Sequence, residues 1–180
     1  GEFTRTILVL DGTDGHRLGR IPFEADVSSL CYGPLGNKVY AAAADRNAVG
    51  VIDAAAMQVV KSVSVGTNPC ALGYSPTSNR VYCVNASSDN VTVIDGAGDS
   101  VVATVPVGEN PCTACWNPTR NVVYVANPNS NDVNVIDAAA DTVVRTIATG
   151  YLPSGLVYDP DRNKLYEADF ASGTVTVIDG

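Results

Sequence analysis

Apolar residues along the chain fall into short runs in which Val, Ile and Tyr alternate with polar or small residues. One stretch holds four such runs in succession: "QVVKSVSV" (58–65), "CALGY" (70–74), "RVYCVN" (80–85) and "VTVID" (91–95). Runs of this length, bounded by turn residues, are typical of β-strands. The alanine runs after Asp53 and Asp137 are too short to hold a helix. The pattern therefore predicts an all-β protein.

The strand pattern recurs with a fixed period of 42 residues. Four independent series keep this spacing: Asp11, Asp53, Asp95, Asp137 and Asp179; Pro34, Pro76, Pro118 and Pro160; Asn37, Asn79, Asn121 and Asn163; Tyr40, Tyr82, Tyr124 and Tyr166. A period between about 20 and 50 residues indicates a repeat architecture. We predict one domain or propeller segment over residues 4–180, with units at approximately 12–53, 54–95, 96–137 and 138–179. The first residues, "GEF" (1–3), are typical of a cloning scar.

Turn chemistry within each unit indicates how the four strands are joined. "GPLGNK", "SPTSNR", "NPTRNV" and "DPDRNK" occupy the same place in successive units and predict tight hairpin turns. Pro22 and Pro106 lie inside strands, which places those strands at the edge of a sheet. "VGTNP" and "VGENP" then lead to the next unit. Radially repeated four-stranded antiparallel units with an outer edge strand predict a β-propeller, with four repeats in this chain.

One segment also carries a family resemblance. "VTVIDGAGDSVVATVPVGENPCTACWNPTRNVVYVAN" (91–127) resembles the YVTN-type propeller repeat, and the likeness spans residues 6–179. The first unit departs from it, because "RIPFEADVSSLCY" lacks the Gly and Pro of the crossing. The resemblance implies a secreted or cell-surface, surface-layer-like propeller of a bacterium or archaeon, often one module of a larger protein. It implies no common reaction.

Composition narrows the function classes. The chain is 46% hydrophobic and 17% charged, which is typical of a folded protein. A net charge of −8 with no Lys/Arg stripe argues against a nucleic-acid partner. No apolar run approaches the roughly 20 residues of a membrane helix, so we expect no membrane insertion.

Residues that could carry chemistry are few. The only histidine, His16, lies in the turn "GTDGHR" with no catalytic partner in the sequence, and the repeated aspartates are expected to cap turns. Cys112 and Cys115 are expected on opposite faces of an inner strand, where they would not share a metal ion. Cys70 and Cys83 form a possible cross-strand disulfide, or else lie one register step apart on different faces. We expect no cofactor and no metal.

A candidate binding surface follows from the propeller geometry. The predicted innermost strands are 27–32, 69–74, 111–116 and 153–158, and the loops entering them share one face with those joining second and third strands. This loop face varies between units, as either a binding surface or unconstrained loops would. Its candidate ligand-binding residues are Asp45, Arg46, Asn68, Asp89, Glu109, Asn110, Asn131, Asp132, Tyr151 and Phe170, with Leu152 beside them.

These features predict a non-catalytic extracellular or cell-surface module. It would bind protein or glycan, or act as a structural unit of an assembly. The alternative is an enzyme domain, lactonase-like or cofactor-dependent, which requires carboxylates or histidines converging on the channel.

The sequence leaves undecided how the blades close into a ring. The final unit lacks an outermost strand, and "RLGRIPF" near the N-terminus is a spare one. We lean towards closure by pairing these segments, within one chain as a four-bladed ring or between two chains by strand exchange. The third alternative is an open piece of a longer propeller.

Overall fold

The computed structural model describes residues 5–180, so the suggested cloning scar lies outside the described part. It consists of strands and turns, with two short 3-10 segments, Pro34–Gly36 and Ala44–Arg46. The strands are β1 (Thr6–Leu10), β2 (Arg17–Pro22), β3 (Val27–Gly33), β4 (Lys38–Ala43), β5 (Ala48–Asp53), β6 (Gln58–Ser64), β7 (Pro69–Ser75), β8 (Arg80–Asn85), β9 (Asn90–Asp95), β10 (Ser100–Pro106), β11 (Thr113–Asn117), β12 (Val122–Asn127), β13 (Asp132–Asp137), β14 (Thr142–Ala148), β15 (Pro153–Asp159), β16 (Lys164–Asp169) and β17 (Thr174–Asp179). Among the described residues, no helix has the length and apolar character needed to cross a bilayer.

The sheets are built as propeller blades. Three four-stranded sheets, β3–β6, β7–β10 and β11–β14, are followed by a three-stranded sheet, β15–β17, and β1 pairs with β2. Every strand within a sheet runs antiparallel to its neighbour. Each sequence unit contributes its first strand to one sheet and its other three to the next. The predicted β-propeller fold is confirmed.

Turn residues do what the sequence predicts. Asn37, Asn79, Asn121 and Asn163 all adopt the left-handed conformation, with φ between 48° and 50°. The Oδ1 atom of Asp53 accepts hydrogen bonds from the N–H groups of Ala55 and Ala56 at 2.9 and 2.8 Å. Pro106 ends β10, which is the edge strand of its sheet. These turns set the hairpins at the same register in successive blades.

The core lies between successive sheets. Tyr82, fully buried, packs with Val93 against Val123 and Ile136 of the following blade. Its hydroxyl donates to Asp141 Oδ1 across the same seam at 3.1 Å. Tyr40 and Tyr124 occupy the equivalent place in the seams on either side. The expectation that the tyrosine series packs between blades is therefore confirmed for these three members.

The predicted pairing of "RLGRIPF" with the final blade does not occur in this chain. β2 pairs with β1 instead, because the two strands are consecutive and a short hairpin joins them. Within residues 5–180, β17 is hydrogen-bonded to β16 alone, and a groove of about 410 Å³ beside it reaches Tyr124, Ile147 and Asp179. The described blades thus form an open series, in which Val175 and Val177 of the last blade are 60% and 53% exposed.

Candidate functional site: the loop face

The predicted loop-face residues lie at one end of the blades, where crossing loops meet the loops joining second and third strands. Hydrogen bonds tie these loops together in the same way at successive seams. The N–H of Asn110 donates to Asp89 Oδ1 at 2.8 Å, and the N–H of Leu152 donates to Asn131 Oδ1 at 3.0 Å. The bond from Asn68 N–H to the Asn47 side chain, at 3.0 Å, is its counterpart one blade earlier.

A second series of hydrogen bonds holds the N–H group of the preceding residue in each crossing loop. The hydroxyl oxygens of Ser88, Ser130 and Ser172 accept from the N–H groups of Thr67, Glu109 and Tyr151 at 2.9, 2.9 and 2.7 Å. Of two adjacent N–H groups in each crossing loop, one is thus held by the loop of the preceding blade and the other by the loop of the blade that the crossing loop enters. Loops fixed in this way present their outward side chains from a rigid base.

Several predicted ligand-binding residues have structural partners. Asp45 accepts hydrogen bonds from Asp26 N–H and Arg5 Nη1, and the Asp26 N–H holds the pKa of Asp45 below its usual value. Asp132 accepts from Asn127 Nδ2 at 2.6 Å. Together with Asp89 and Asn131, these side chains hold the loop face in shape. A ligand would have to compete with bonds already made inside the protein.

The other predicted residues point their side chains to solvent or lie at the rim. Glu109, Asn110 and Asn68 are exposed on the crossing loops. Arg46, also exposed, donates from Nη2 to the carbonyl of Glu24 at 3.1 Å. These residues give the loop face exposed polar groups along the series of blades.

The last blade carries an exposed apolar loop cluster formed by Tyr151, Leu152 and Phe170. Their exposed fractions are 68%, 39% and 78%. The N–H of Phe170 donates to the carbonyl of Leu152 at 3.0 Å, which holds the two loops side by side. The equivalents of Tyr151 are Thr67 and Glu109, so this aromatic pairing is confined to one blade. An exposed aromatic patch on a fixed backbone is typical of an interaction site.

Leu152 is strained as well as exposed. Its φ of 54° lies in the left-handed region, where the preceding seams have Asn68 and Asn110. A leucine there costs about 1 kcal/mol relative to a residue suited to that conformation. Departures of this kind from a repeating pattern are characteristic of functional positions.

Two buried acids beneath this cluster are not among the residues predicted from the sequence. Glu167 is 0% exposed and Asp169 is 2% exposed. Comparison of the units would have identified Glu167 in the sequence, because Ala41, Cys83 and Val125 occupy its place in the other units. A substrate in solvent has no access to the Glu167 carboxyl in this arrangement.

Of the two alternatives for Cys70 and Cys83, the one that places them out of register on different faces holds, since they pack in different interblade clusters, whereas the expectation for Cys112 and Cys115 needs correction. All five cysteines are free, and Leu72, rather than Cys70, lies opposite Cys83. Cys70 occupies an irregular step between Pro69 and Ala71, which removes the predicted disulfide geometry. Cys112 precedes β11, and its side chain packs against the same hydrophobic cluster as Cys115. The prediction of opposite faces is wrong because β11 starts at Thr113, two residues later than predicted, and Cys112 lies outside the strand.

His16 lies away from the loop face, on the turn between β1 and β2. Its Nδ1 lies 2.6 Å from Asp14 Oδ1, and Asp11 is close by. The two carboxylates also accept N–H bonds from Thr13 and His16 of their own turn. These hydrogen bonds within the turn explain why the three exposed side chains lie close together.

Replacing Asn131 with alanine should destabilise the fold by roughly 2 kcal/mol, because the Leu152 N–H loses its acceptor and alanine is less suited than asparagine to the φ of 57° at this position. Asn129→Ala is the matched control, since this exposed residue has no side-chain hydrogen bond in the described structure. Urea unfolding of both variants measures the difference. Equal midpoints would show that the seam bond contributes nothing.

Comparisons with known proteins agree with the fold. Residues 37–148 match the profile of the family described as "Lactonase, 7-bladed beta-propeller". The chain resembles a Kuenenia stuttgartiensis hydrazine synthase structure at 25% identity and a TM-score of 0.74, covering 85% of this chain and 49% of that one. It also resembles a functionally unknown protein from Desulfotomaculum acetoxidans DSM 771 at 15% identity and a TM-score of 0.77, covering 97% and 61%. Among curated proteins, none matches in sequence. The chain spans less than two thirds of either solved chain.

Proposed function

Because the chain belongs to the lactonase family of seven-bladed β-propellers, we propose that it is a propeller segment whose loop face binds a ligand without chemically changing it. The ligand is a protein segment or a glycan, and the protein is secreted or held at the cell surface. Residues 91–127, which resemble the YVTN-type repeat, support that location. The binding site itself is argued from the loop face.

The apolar loop cluster is the observation that carries this proposal. Tyr151 and Phe170 expose large aromatic faces, while the backbone beneath them is tied by hydrogen bonds to Ser172 and Leu152. Aromatic anchors on a preorganised base lose little conformational entropy when they bind. Glu109 and Asn110 on the neighbouring crossing loop add polar groups that can orient a ligand.

Charge restricts the ligand further. The chain carries 19 acidic residues against 11 basic ones. Several of the acidic residues, Asp45, Asp89, Glu109 and Asp132 among them, lie on the loop face. The face therefore favours neutral or basic ligands over anionic ones.

The double substitution Tyr151→Ala/Phe170→Ala should reduce binding at least tenfold with little change in stability, because both side chains are exposed. The probes are an array of immobilised neutral and acidic glycans and a panel of purified cell-surface proteins. Val60→Ala/Val102→Ala is the control, since these valines are also exposed, at 52% and 45%, but lie on outer strands. Binding that survives the first pair and is lost with the second would place the site elsewhere.

The enzyme alternative rests on the description of the family. Its test is turnover of a panel of esters and lactones by the purified chain. We expect none, because His16 is bonded only within its own turn and Glu167 is buried. Turnover that disappears in His16→Ala, or in Glu167→Gln, would contradict the non-catalytic proposal.

A further inference from the structure

Glu167 departs from the repeat in a way that needs a physical explanation. It lies on β16 at the position that Ala41, Cys83 and Val125 occupy in the other units. Each of those three residues is buried between its own blade and the one before it. Neither carboxyl oxygen of Glu167 has a hydrogen-bond partner in the described structure, and Asp169 Oδ1 also has none. A buried, unpaired carboxylate is strongly unfavourable, so the group must be neutral or compensated.

Asp169 departs from the repeat in a matching way. In the two preceding blades this position is an asparagine, and Asn85 Nδ2 donates to Asn90 and Thr92. In the last blade the direction is reversed, because Thr174 and Thr176 both donate to Asp169 Oδ2 at 2.9 Å. Asp169 is thus built to accept hydrogen bonds, and its Oδ1 atom is free to accept one more.

These surroundings determine which of the two carboxyl groups is ionised. Burial, reinforced by neighbouring Asp169, raises the pKa of Glu167 to about 8. Burial opposes ionisation of Asp169, yet its pKa is held below its usual value by the Glu167 carboxyl, which lies two residues away on the same face of β16, and by the hydrogen bonds from Thr174 and Thr176. At neutral pH the glutamic acid is therefore the proton donor and the aspartate the acceptor.

Other charged groups do not alter this pattern. From the preceding blade, the Cys112 thiol faces Glu167, and burial raises its pKa to about 11. The residues of β12 and β13 in the cluster packed on the last blade are apolar apart from Tyr124, whose hydroxyl binds Asn117 at the opposite end. Asp137 of β13 lies at that same end, in a groove with Asp179. On β15 and β17, Tyr158 and Asp179 are bonded to Asn163 and Lys164. The salt bridges of the described residues do not include Glu167.

We propose that Glu167 and Asp169 form a carboxylic acid–carboxylate pair that shares one proton, and that losing this proton loosens the last blade and the loop above it. The loop connection is direct, since a Cβ on Gly150 would approach Asp169 Cγ to 2.5 Å. Gly150 precedes Tyr151, so the pair lies immediately below the apolar loop cluster. The inference stands whether or not the loop face binds a ligand.

The sign of the pH effect is fixed by the direction of the shift. The folded state holds the Glu167 proton up to about pH 8, whereas the unfolded chain releases it near 4.5. Stability from this group is therefore complete below the unfolded value and is lost as pH rises through the folded one. Between pH 5 and 8, the unfolding equilibrium constant of the wild type should rise at least tenfold relative to a variant lacking the group.

Urea unfolding from pH 5 to 9 of the wild type, Glu167→Gln and Glu167→Val tests the proposal. Glutamine can donate to Asp169 without titrating, and valine is the residue of the preceding unit. We expect both variants to lack the pH-dependent loss. Hydrogen exchange at pH 8.5 should be faster in β16 of the wild type than of Glu167→Gln, with β8 unchanged.

Two results would overturn the proposal. One is a wild-type pH profile parallel to that of Glu167→Val, which would show that Glu167 does not titrate in this window. The other is stabilisation of the wild type, but not of Glu167→Val, by calcium chloride or magnesium chloride at pH 8. That result would mean that a cation rather than a proton compensates the pair.

Discussion

Replacing Tyr82 with alanine should lower the free energy of unfolding by roughly 4 kcal/mol. The ring is fully buried between two blades, and its removal leaves a cavity bounded by Val93, Val123 and Ile136. The hydroxyl bond to Asp141, at 3.1 Å, is lost as well. Tyr82→Phe, which removes only that bond, should cost about 1 kcal/mol.

Tyr166 provides the matched control, because it occupies the same repeat position on the last blade. On the last blade, no further blade within the described residues covers the sheet face that carries Tyr166, and neighbouring Val175 is 60% exposed. Tyr166→Ala should therefore cost less than about 1 kcal/mol. Urea unfolding of both variants measures the contrast, and equal losses would show that the open face is covered in solution.

Replacing Gly108 with alanine should destabilise the chain by about 3 kcal/mol. A Cβ at this crossing would lie 2.2 Å from Ser130 Oγ and 2.8 Å from Asn127 Cβ. Ser130 would have to leave the Glu109 N–H that it accepts at 2.9 Å. The substitution thus both overpacks the seam and breaks one of its clamps.

Gly12→Ala is the control for that substitution, since no atom lies within 4 Å of its Cβ position. We expect a change within about 0.5 kcal/mol there. Thermal and urea unfolding report both variants. A tolerated Gly108→Ala would mean that crossing loops and the blades that they enter are less closely packed than the structure shows.

Much of the fold follows from local signals in the sequence. The 42-residue spacing, the asparagine turns and the edge prolines each depend on chemistry within a few residues, and each agrees with the structure. Asn79 illustrates this, since its turn needs a left-handed residue and has one at φ 49°. The interblade role of Tyr82 follows from the same spacing, because a residue repeated in successive units packs in the same way wherever a further blade covers it.

Features that depend on exceptions to the repeat are harder to predict. The irregular step at Cys70 shifts the strand register and places Leu72 opposite Cys83. The strand β2 stays with β1 because the two are consecutive, and closing the short hairpin between them costs less chain entropy than reaching a distant partner. On the loop face, sequence variation identifies Tyr151 and Phe170, but it does not separate them from Asp89 and Asn131, which bond to backbone N–H groups.

The central claim is that the last blade keeps an apolar binding cluster at some cost in stability. Leu152→Asn tests it most directly, because asparagine suits the φ of 54° and preserves the backbone bonds of the seam. Titration against the ligand found on the array, together with urea unfolding, should show a gain of about 1 kcal/mol in stability and a loss of affinity. Equal affinity in the stabilised variant would contradict the claim that Leu152 is retained for binding.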